Sequence, residues 1–417
     1  MNPDVLDVVI VGAGQGGLSV SYHLCKAGVD HIVLDRGGIA HAWETRWDSF
    51  CLVTPNWTIN LPGRRYDGED PDGFMPRDTF VRYMKDWADG FGAPVAGRAE
   101  VTRVRWTGGR FRIQCKSGSI EARNVVVATA TYQSPRFPSV AGDIPHDIRQ
   151  LHAEDYRNCS QAPEGAVLVV GSGQTGCQIV EDFLRAGYST YLCVSRTGRL
   201  PRRYRGRDCI AWQDDLGLLD RTPDMLDTPA QRFAGDPHLT GRDGGSTVSL
   251  HDFRRRGVTL LGRLEAVSGS VARFRDDLGR NLDYADAYAS NFMKTVDDYV
   301  EATGAHAPPP TAAELFGGPG VDGSRIRSPE SLDLDEAGIT TVVWATGFGF
   351  DFSWIEGIAT DAFGYPVTDR GKCTFPGLYF CGLNWMTRRK SGILFGVGDD
   401  AQEVSRDIIG RLGSARR

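Results

Sequence analysis

The chain has 417 residues, 51 of them glycine, and a formal net charge of −6. Apolar residues at 41% and charged residues at 24% are an ordinary globular balance that excludes disorder, and the glycines follow no Gly-X-Y period that would mark a fibre. A net negative chain has no general attraction for nucleic acid or anionic lipid, and this length exceeds one hydrophobic core, so two domains are expected.

The first residues, 1 to 7, are acidic and lack the basic start of a signal peptide. Residues 8 to 25 carry no Asp, Glu, Lys or Arg, but their glycines suit a buried strand, turn and helix better than a membrane span. Asp7 to Val11 reads as a buried parallel strand. Gly12-Ala13-Gly14-Gln15-Gly16-Gly17 follows, then a helix from Leu18 to Ala27, then a strand His31 to Leu34 ending in Asp35 and Arg36. This is a dinucleotide fingerprint. Gly12 permits the tight turn, Gly14 lets a pyrophosphate approach the backbone, and Gly17 lets helix and strand pack closely. The helix N-terminus favours phosphate, and Asp35 can accept from ribose hydroxyls. Residues 99 to 122 alternate polar and apolar around two turns and predict a β-meander.

The fingerprint recurs. Ala166 to Val170 leads into Gly171-Ser172-Gly173-Gln174-Thr175-Gly176, a helix to about Ala186, and a strand Thr190 to Val194 ending in Ser195-Arg196. No carboxylate stands where Asp35 stood. The first loop therefore suits a nucleotide with a free 2′-hydroxyl, and the second suits the 2′-phosphate of NADPH. Arginines 196, 199, 202, 203, 205 and 207 form a run that reads as a solvated basic loop apart from Arg196. Residues 205 to 335 read as irregular connections with a few helices, one at 287–302.

Two apolar strands end alike, Val125 to Ala130 with Ala128-Thr129 and Val342 to Gly347 with Ala345-Thr346. They bracket the second fingerprint, so the second nucleotide domain is expected as an insertion in the first. The expected class is α/β with two Rossmann-like dinucleotide-binding domains. The expected ranges are 1–160 and 339–417 for the first domain and 161–338 for the inserted one. Near the C-terminus, Gly396 and Gly398 precede Asp399-Asp400 and an amphipathic helix to about Leu412, an arrangement that brings a helix N-terminus close to a ligand. Nine cysteines include no C-x-x-C or C-x-x-x-x-C pair, which argues for a reducing compartment and against a flavin disulfide reductase. The eight histidines show no metal-ligand spacing, so no metal is expected.

Taken together, the two fingerprints, the acid after the first, the arginine after the second and the Ala-Thr-Gly strand resemble the flavin-containing monooxygenases. Trp43 to Ser49 with Leu52-Val53-Thr54-Pro55 resembles that family's flavin-covering segment. His152 to Tyr156 resembles the end of its linker motif, and Pro376 to Gly382 its last flavin-domain strand. The motif's usual F-x-G start is absent, since His146 and Ile148 occupy those places. Tyr156 at its end leans away from Baeyer–Villiger chemistry, and Ala130 stands where glycine is common. The resemblance implies FAD in the first domain and NADPH in the second, with the NADPH domain inserted. It also implies that reduced flavin activates oxygen as a C4a-hydroperoxide to oxygenate a small nitrogen or sulfur nucleophile. Cofactor contacts are then expected from Gly12, Gly14, Gln15, Gly16, Gly17, Asp35, Arg36, Trp43, Thr54, Ala128, Thr346, Gly347 and Asp399, and from Gly171, Ser172, Gly173, Gln174, Thr175, Gly176, Ser195 and Arg196. Asn56, Asn60 and His152 are the expected catalytic side chains, and Trp57, Trp212, Trp354 and Trp385 are expected to shape an apolar pocket. The alternatives are a Baeyer–Villiger or oxidatively decarboxylating enzyme, an NADPH oxidase, and an FAD-binding redox sensor. Partners are expected to be a small molecule and oxygen, with no nucleic acid or membrane. The expected location is cytoplasmic, and a homodimer is the commonest expectation.

Overall fold

The computed structural model describes residues 5–235, 237–315 and 326–415. Glycines 317, 318 and 320, in the stretch 205 to 335 read above as irregular connections, lie outside them. The first sheet is built on strand Val5–Val11, which pairs in parallel with His31–Leu34 on one side and Gly118–Val127 on the other. Leu378–Phe380 continues the parallel order beyond Gly118–Val127, and Val95–Ala96 closes the opposite edge. The sequence of Val5–Val11 lacks the polar–apolar alternation of a half-exposed strand because both of its faces are covered. Val8 and Ile10 pack on the side of helices Gln15–Lys26 and Val397–Ala415, while Val9 and Val11 pack on the side of the meander. Each such fully buried side chain contributes about 1.5–3 kcal/mol. The meander forms as expected, with Val101–Thr107, Arg110–Cys115 and Gly118–Val127 antiparallel.

The second sheet is all parallel, in the order Arg149–His152, Ile339–Trp344, Ala166–Val170, Thr190–Cys193 and Thr259–Leu261. Ile339–Trp344 thus does not return to the first sheet, as its likeness to Val125–Ala130 led us to expect. An apolar run of this length carries no label for its sheet. What decides is the register, which sets Val342 beside Leu168 and Val343 beside Val169. The chain passes from the first sheet to the second between Val127 and Arg149, and back only after Trp344. The two passages touch. Ser134–Pro135 pairs antiparallel with Phe348–Gly349, forming a two-strand hinge. Ala130 and Gly347, the last residues of the two Ala-Thr runs, both take left-handed backbone, φ 53° and 80°. One apolar cluster runs through both domains, from Leu18 and Val397 to Val169 and Phe183.

Residues 205–335 are more regular than expected. They hold helix Leu278–Thr303, the hairpin Leu264–Ser268 with Val271–Phe274, and Ser331–Asp333 paired to it. The arginine run before them is not a solvated loop. Arg199 and Arg202 are buried, paired with Asp286 at 2.8 Å and Asp208 at 2.5 Å. Arg205 and Arg207 pair with Asp297 and Asp215, and Arg203 donates to the Gly244 and Gly245 carbonyls. Asp286 also lies 2.8 Å from His251 Nε2, so one carboxylate has two partners. Arg199→Met leaves Asp286 buried without its main counter-charge. It should lower stability by about 3–5 kcal/mol in chemical denaturation. A change under about 1 kcal/mol would mean that the contact with His251 is enough to hold the Asp286 carboxylate in place.

Candidate functional site

Each glycine loop separates its glycines by task. Gly12 has φ +110°, and a β-carbon there would lie 2.6 Å from the Ala128 oxygen. A β-carbon on Gly17 would lie 1.8 Å from the Gly12 oxygen. In the second loop Gly171 and Gly176 repeat this, with clashes at 2.5 Å against Ala345 O and 1.9 Å against Gly171 O. Gly17 and Gly176 are glycines because the loop closes on itself, and Gly12 and Gly171 because it passes close to the residue just after the neighbouring strand, at a positive φ. Gly14 and Gly173 differ. Each has extended backbone any residue can adopt, φ −82° and −71°, and a β-carbon on either meets nothing within 4 Å. Both are N-caps of their helices, and neither helix is capped by a side chain or has an acid in its first turn. Two helix N-termini with open space before them fit the pyrophosphates of two dinucleotides.

The flanking residues sort themselves around these loops. Asp35 accepts from the Ala13 N–H at 2.8 Å and from the Gly37 and Gly38 N–H groups at 2.8 Å. A carboxylate accepts about four hydrogen bonds, so one place is left for a ribose hydroxyl. Arg36 is exposed and stands 3.9 Å from Glu154. Gln15 takes the Trp43 indole N–H at 3.0 Å and donates to Gly392 O at 3.3 Å, which fixes the covering segment on the loop. Thr54 accepts from the Thr58 hydroxyl at 2.9 Å. In the second loop, the Ser172 hydroxyl accepts from the Ser195 N–H at 2.9 Å. Thr175 is partly buried in the first helical turn. Arg196 is exposed and lies 4.2 Å over the Tyr284 ring.

The expected catalytic residues part company. The Asn56 amide is spent on its own loop, donating to Asp70 O at 2.9 Å and accepting from the Met75 N–H at 2.8 Å. It is buried, with its amide turned onto its own loop. His152 is also buried. It sits at the hinge, 3.2 Å from Gly347 O and packed between the rings of Phe137 and Phe348. Burial lowers its pKa, so it stays neutral there as a hinge residue. Thr346 and Gly347 belong to the same hinge through Arg136, whose carbonyl accepts from the Thr346 hydroxyl and whose N–H donates to Gly347 O at 3.0 Å. Asn60 alone stays near the start of the terminal helix, its Nδ2 3.5 Å from Phe395 O. Gly396 and Gly398 do not face open space. A β-carbon on Gly396 would strike Lys390, and one on Gly398 would come to 3.0 Å of Asn60 O. Gly398 lets the helix start pack on the Asn60 strand, and Gly396 lets the chain pass close to Lys390. Asp399 is exposed and 3.6 Å from Arg388, whereas Asp400 is the buried acid, with a pKa raised by burial. Trp212 is core, its N–H given to Tyr204 O at 2.7 Å, and Trp354 gives its N–H to Asp351 O. Trp57 instead packs edge-on to Phe395 at 5.4 Å and lines a cavity of about 420 Å³ with Arg203, Arg207 and Asp214.

Residues 238–245 were not anticipated. His238 is buried and bridges the Ser172 carbonyl, and the Leu239 main chain takes both ends of the Gln174 amide. The same segment crosses to the other domain, since a β-carbon on Gly241 would sit 1.9 Å from Leu52 O. Nothing in the sequence marks a lone histidine far from the loop it holds. Asp182, on the helix of the second loop, accepts from the Ser49 hydroxyl of the first domain at 2.7 Å and pairs with Arg242. Burial pushes the His238 pKa down to about 4. An unfolded histidine titrates near 6.5, so the unfolded chain gains a proton first as pH falls. Stability should therefore drop as pH goes from about 6.5 towards 4, by up to about 3 kcal/mol from this group. His238→Gln, which can keep the bond to Ser172, should flatten that slope, whereas His238→Phe should raise the NADP⁺ dissociation constant several-fold. An unchanged acid melting profile in His238→Gln would refute the assignment.

Among the described residues, no helix is long and apolar enough to cross a membrane. The pyridine nucleotide-disulphide oxidoreductase family pattern matches residues 9–206. The described cysteines are all free, and none form the paired motif of a disulfide reductase. The chain is 29% identical over 411 residues to an uncharacterized oxidoreductase, CzcO-like, of Geobacillus kaustophilus, covering 97% of this chain and 99% of that one. It is 32% identical over 323 residues to the indole-3-pyruvate monooxygenase YUCCA1 of Oryza sativa subsp. japonica, covering 70% and 78%. Its fold matches a flavin-containing monooxygenase from Stenotrophomonas maltophilia with a TM-score of 0.63 at 19% identity, over 98% and 99% of the two chains.

Proposed function

The chain belongs to the flavin-containing monooxygenase family, and from that premise we propose that it holds FAD on the first loop and NADPH on the second and oxygenates a small nitrogen or sulfur nucleophile. The observation that carries the two-cofactor part is the pair Gly14 and Gly173, glycines that neither strain nor packing requires. The proposed coenzyme domain runs from the hinge strand Ser134–Pro135 to its partner Phe348–Gly349. Bound FAD would supply the chemistry, storing two electrons from NADPH and passing them to molecular oxygen. The residues of the chain do the rest. Asp35 would hold the ribose of the first nucleotide, and Trp43, fixed by Gln15, would help the covering segment exclude water. Ser195 and Arg196 take the 2′-phosphate. Asn60, at the start of the terminal helix, offers the amide that can hold a proton near the reacting oxygen. Trp57 and the cavity beside it lead the substrate in.

The test is direct. Purified protein should be yellow, anaerobic NADPH should bleach it, and oxygen uptake should rise with amines or sulfides that gain one oxygen by mass. A second reading has its own support, because the relative that is 32% identical acts on a 2-oxo acid. Oxygenation or decarboxylation of 2-oxo acids or ketones, with amines and sulfides inert, would replace the nitrogen and sulfur assignment. Peroxide formed one-for-one with NADPH under every substrate would indicate an oxidase. Flavin that NADPH cannot bleach would indicate a sensor.

A further inference from the structure

Helices Gln15–Lys26 and Val397–Ala415 pack against each other on one face of the first sheet. Between them lies a recess of about 190 Å³, lined by His23 of the first helix and by Gln402, Ser405, Arg406 and Ile409 of the second. His23 comes nine residues after Gly14. Along the helix axis the recess is therefore about 13 Å from the end proposed for the pyrophosphate. Drug-sized ligands take roughly 300 Å³ or more, so this space suits a much smaller molecule than a dinucleotide.

Two polar atoms on the lining residues have no partner. Ser405 is 1% exposed, and its hydroxyl makes no hydrogen bond among the described residues. A serine or threonine inside a helix can return its hydroxyl to the carbonyl four residues back. Ser414 does so to Gly410 O at 3.0 Å, and Thr295 and Thr303 do so on another helix. Ser405 does not. His23 Nε2 is also buried and unpartnered, and its ring is held edge-on to Tyr22 at 5.5 Å. Buried polar groups without partners are uncommon, because each gives up its hydration for nothing, and a bound ion is one remedy.

The charge of the recess has one sign. Arg406 is exposed on its lining and has no hydrogen bond or ion pair among the described residues. The acids beside it on the helix are engaged, Glu403 with Arg370 at 2.9 Å and Asp407 with Lys372 at 3.0 Å and the Tyr379 hydroxyl at 2.8 Å. No carboxylate lines the recess. Burial lowers the His23 pKa, so at neutral pH Arg406 alone sets the sign. Ile409, 37% exposed, adds an apolar wall.

We propose that this recess binds a small oxyanion, with Arg406 meeting the charge and Ser405, Gln402 and the Nε2–H tautomer of His23 donating hydrogen bonds. The anion is inorganic phosphate or the carboxylate of a short-chain acid whose alkyl end rests on Ile409. The site rests on neither cofactor and on no oxygenation step.

Nuclear magnetic resonance of the full-length protein tests it. The His23 ring C–H signal is assigned by its loss in His23→Gln. Phosphate and isobutyrate are then titrated separately at neutral pH, with sodium chloride holding the ionic strength constant. The signal should shift saturably, with a dissociation constant of about millimolar order. Saturation by phosphate alone identifies the inorganic ion, by isobutyrate alone the carboxylate, and by both an oxyanion site without further selection. Arg406→Gln should weaken binding by about fivefold or more, and Ser405→Ala by about threefold. Arg411→Gln removes an exposed arginine of the same helix outside the recess, and should change binding less than about twofold. If Ser405→Ala does not fold, the exposed Arg406 decides. The proposal is overturned if neither anion shifts the signal saturably, or if Arg406→Gln loses less than about fivefold. It is also overturned if Arg411→Gln loses as much as Arg406→Gln, which would show surface charge alone. Phosphate held at the glycine loop instead would be blind to Arg406, so this reading and the cofactor reading fail separately.

Discussion

Gly14→Val should give folded protein without flavin. A valine is permitted at that position on two counts. The backbone, at φ −82° and ψ −171°, is extended, and a β-carbon would meet no atom within 4 Å. The apoprotein therefore has no reason to misfold, and far-ultraviolet circular dichroism should match wild type. The side chain would fill the space before the helix N-terminus, where a pyrophosphate must come within hydrogen-bond distance of backbone N–H groups. Gly173→Val, with the same open surroundings, should keep the yellow colour and lose reduction by NADPH. Gly17→Ala is the contrast. Its β-carbon would lie 1.8 Å from the Gly12 oxygen, so it should damage the fold itself and lower soluble yield. If Gly14→Val stays yellow, the first loop does not carry the flavin pyrophosphate.

That division among glycines shows what the sequence could and could not tell. The fingerprints were legible because each position answers a local demand, a turn at Gly12 and close packing at Gly17, and local demands leave local patterns. The same holds for the meander. The sheet of strand 339–344 was not legible. Its partners Leu168 and Val169 lie far away in the chain, and an apolar run pairs with any other of matching length. The arginine run was misread for a related reason. Two of its counter-charges, Asp286 and Asp297, sit on a helix some ninety residues later, so those two pairs exist only in three dimensions. Asn56 looked chemical because it stands next to a proline in a flavin-covering segment, yet its amide closes the loop to Asp70 and Met75. Side chains that serve distant backbone carry no signature of their own, and His238 is the clearest instance.

On the proposed reading the insert would therefore serve the cofactors as well as the cavity beside Trp57. Its residue 202 donates to Val53 O at 2.8 Å, and its residue 241 packs under Leu52 O, so it is seated on the flavin-covering side of the first domain. At the same time His238 and Leu239 grip the second loop. If the two loops hold the two cofactors as proposed, one segment touches both places that must be in register for hydride transfer, and distance errors there would be costly to rate.

Arg196→Ala should abolish the preference for NADPH while leaving NADH nearly untouched. The Arg196 guanidinium carbon lies 4.2 Å from the Tyr284 ring centroid, a cation–π contact that orders the side chain. No carboxylate competes for it as an ion pair among the described residues, unlike Arg199, Arg202, Arg205 and Arg207 of the same run. A fork-shaped contact to a dianionic phosphate at an exposed site should be worth roughly 30- to 100-fold in NADPH affinity at low salt, and less as ionic strength rises. NADH has no phosphate there, so its KM should change by no more than about twofold. Arg196→Lys should retain part of the preference, and Tyr284→Leu should weaken it by a few-fold through loss of ordering. The measurement is the ratio of kcat/KM for the two coenzymes, taken by NADPH and NADH oxidation at two salt concentrations. Equal damage to both coenzymes would place the 2′-phosphate elsewhere and leave Arg196 a stacked surface residue.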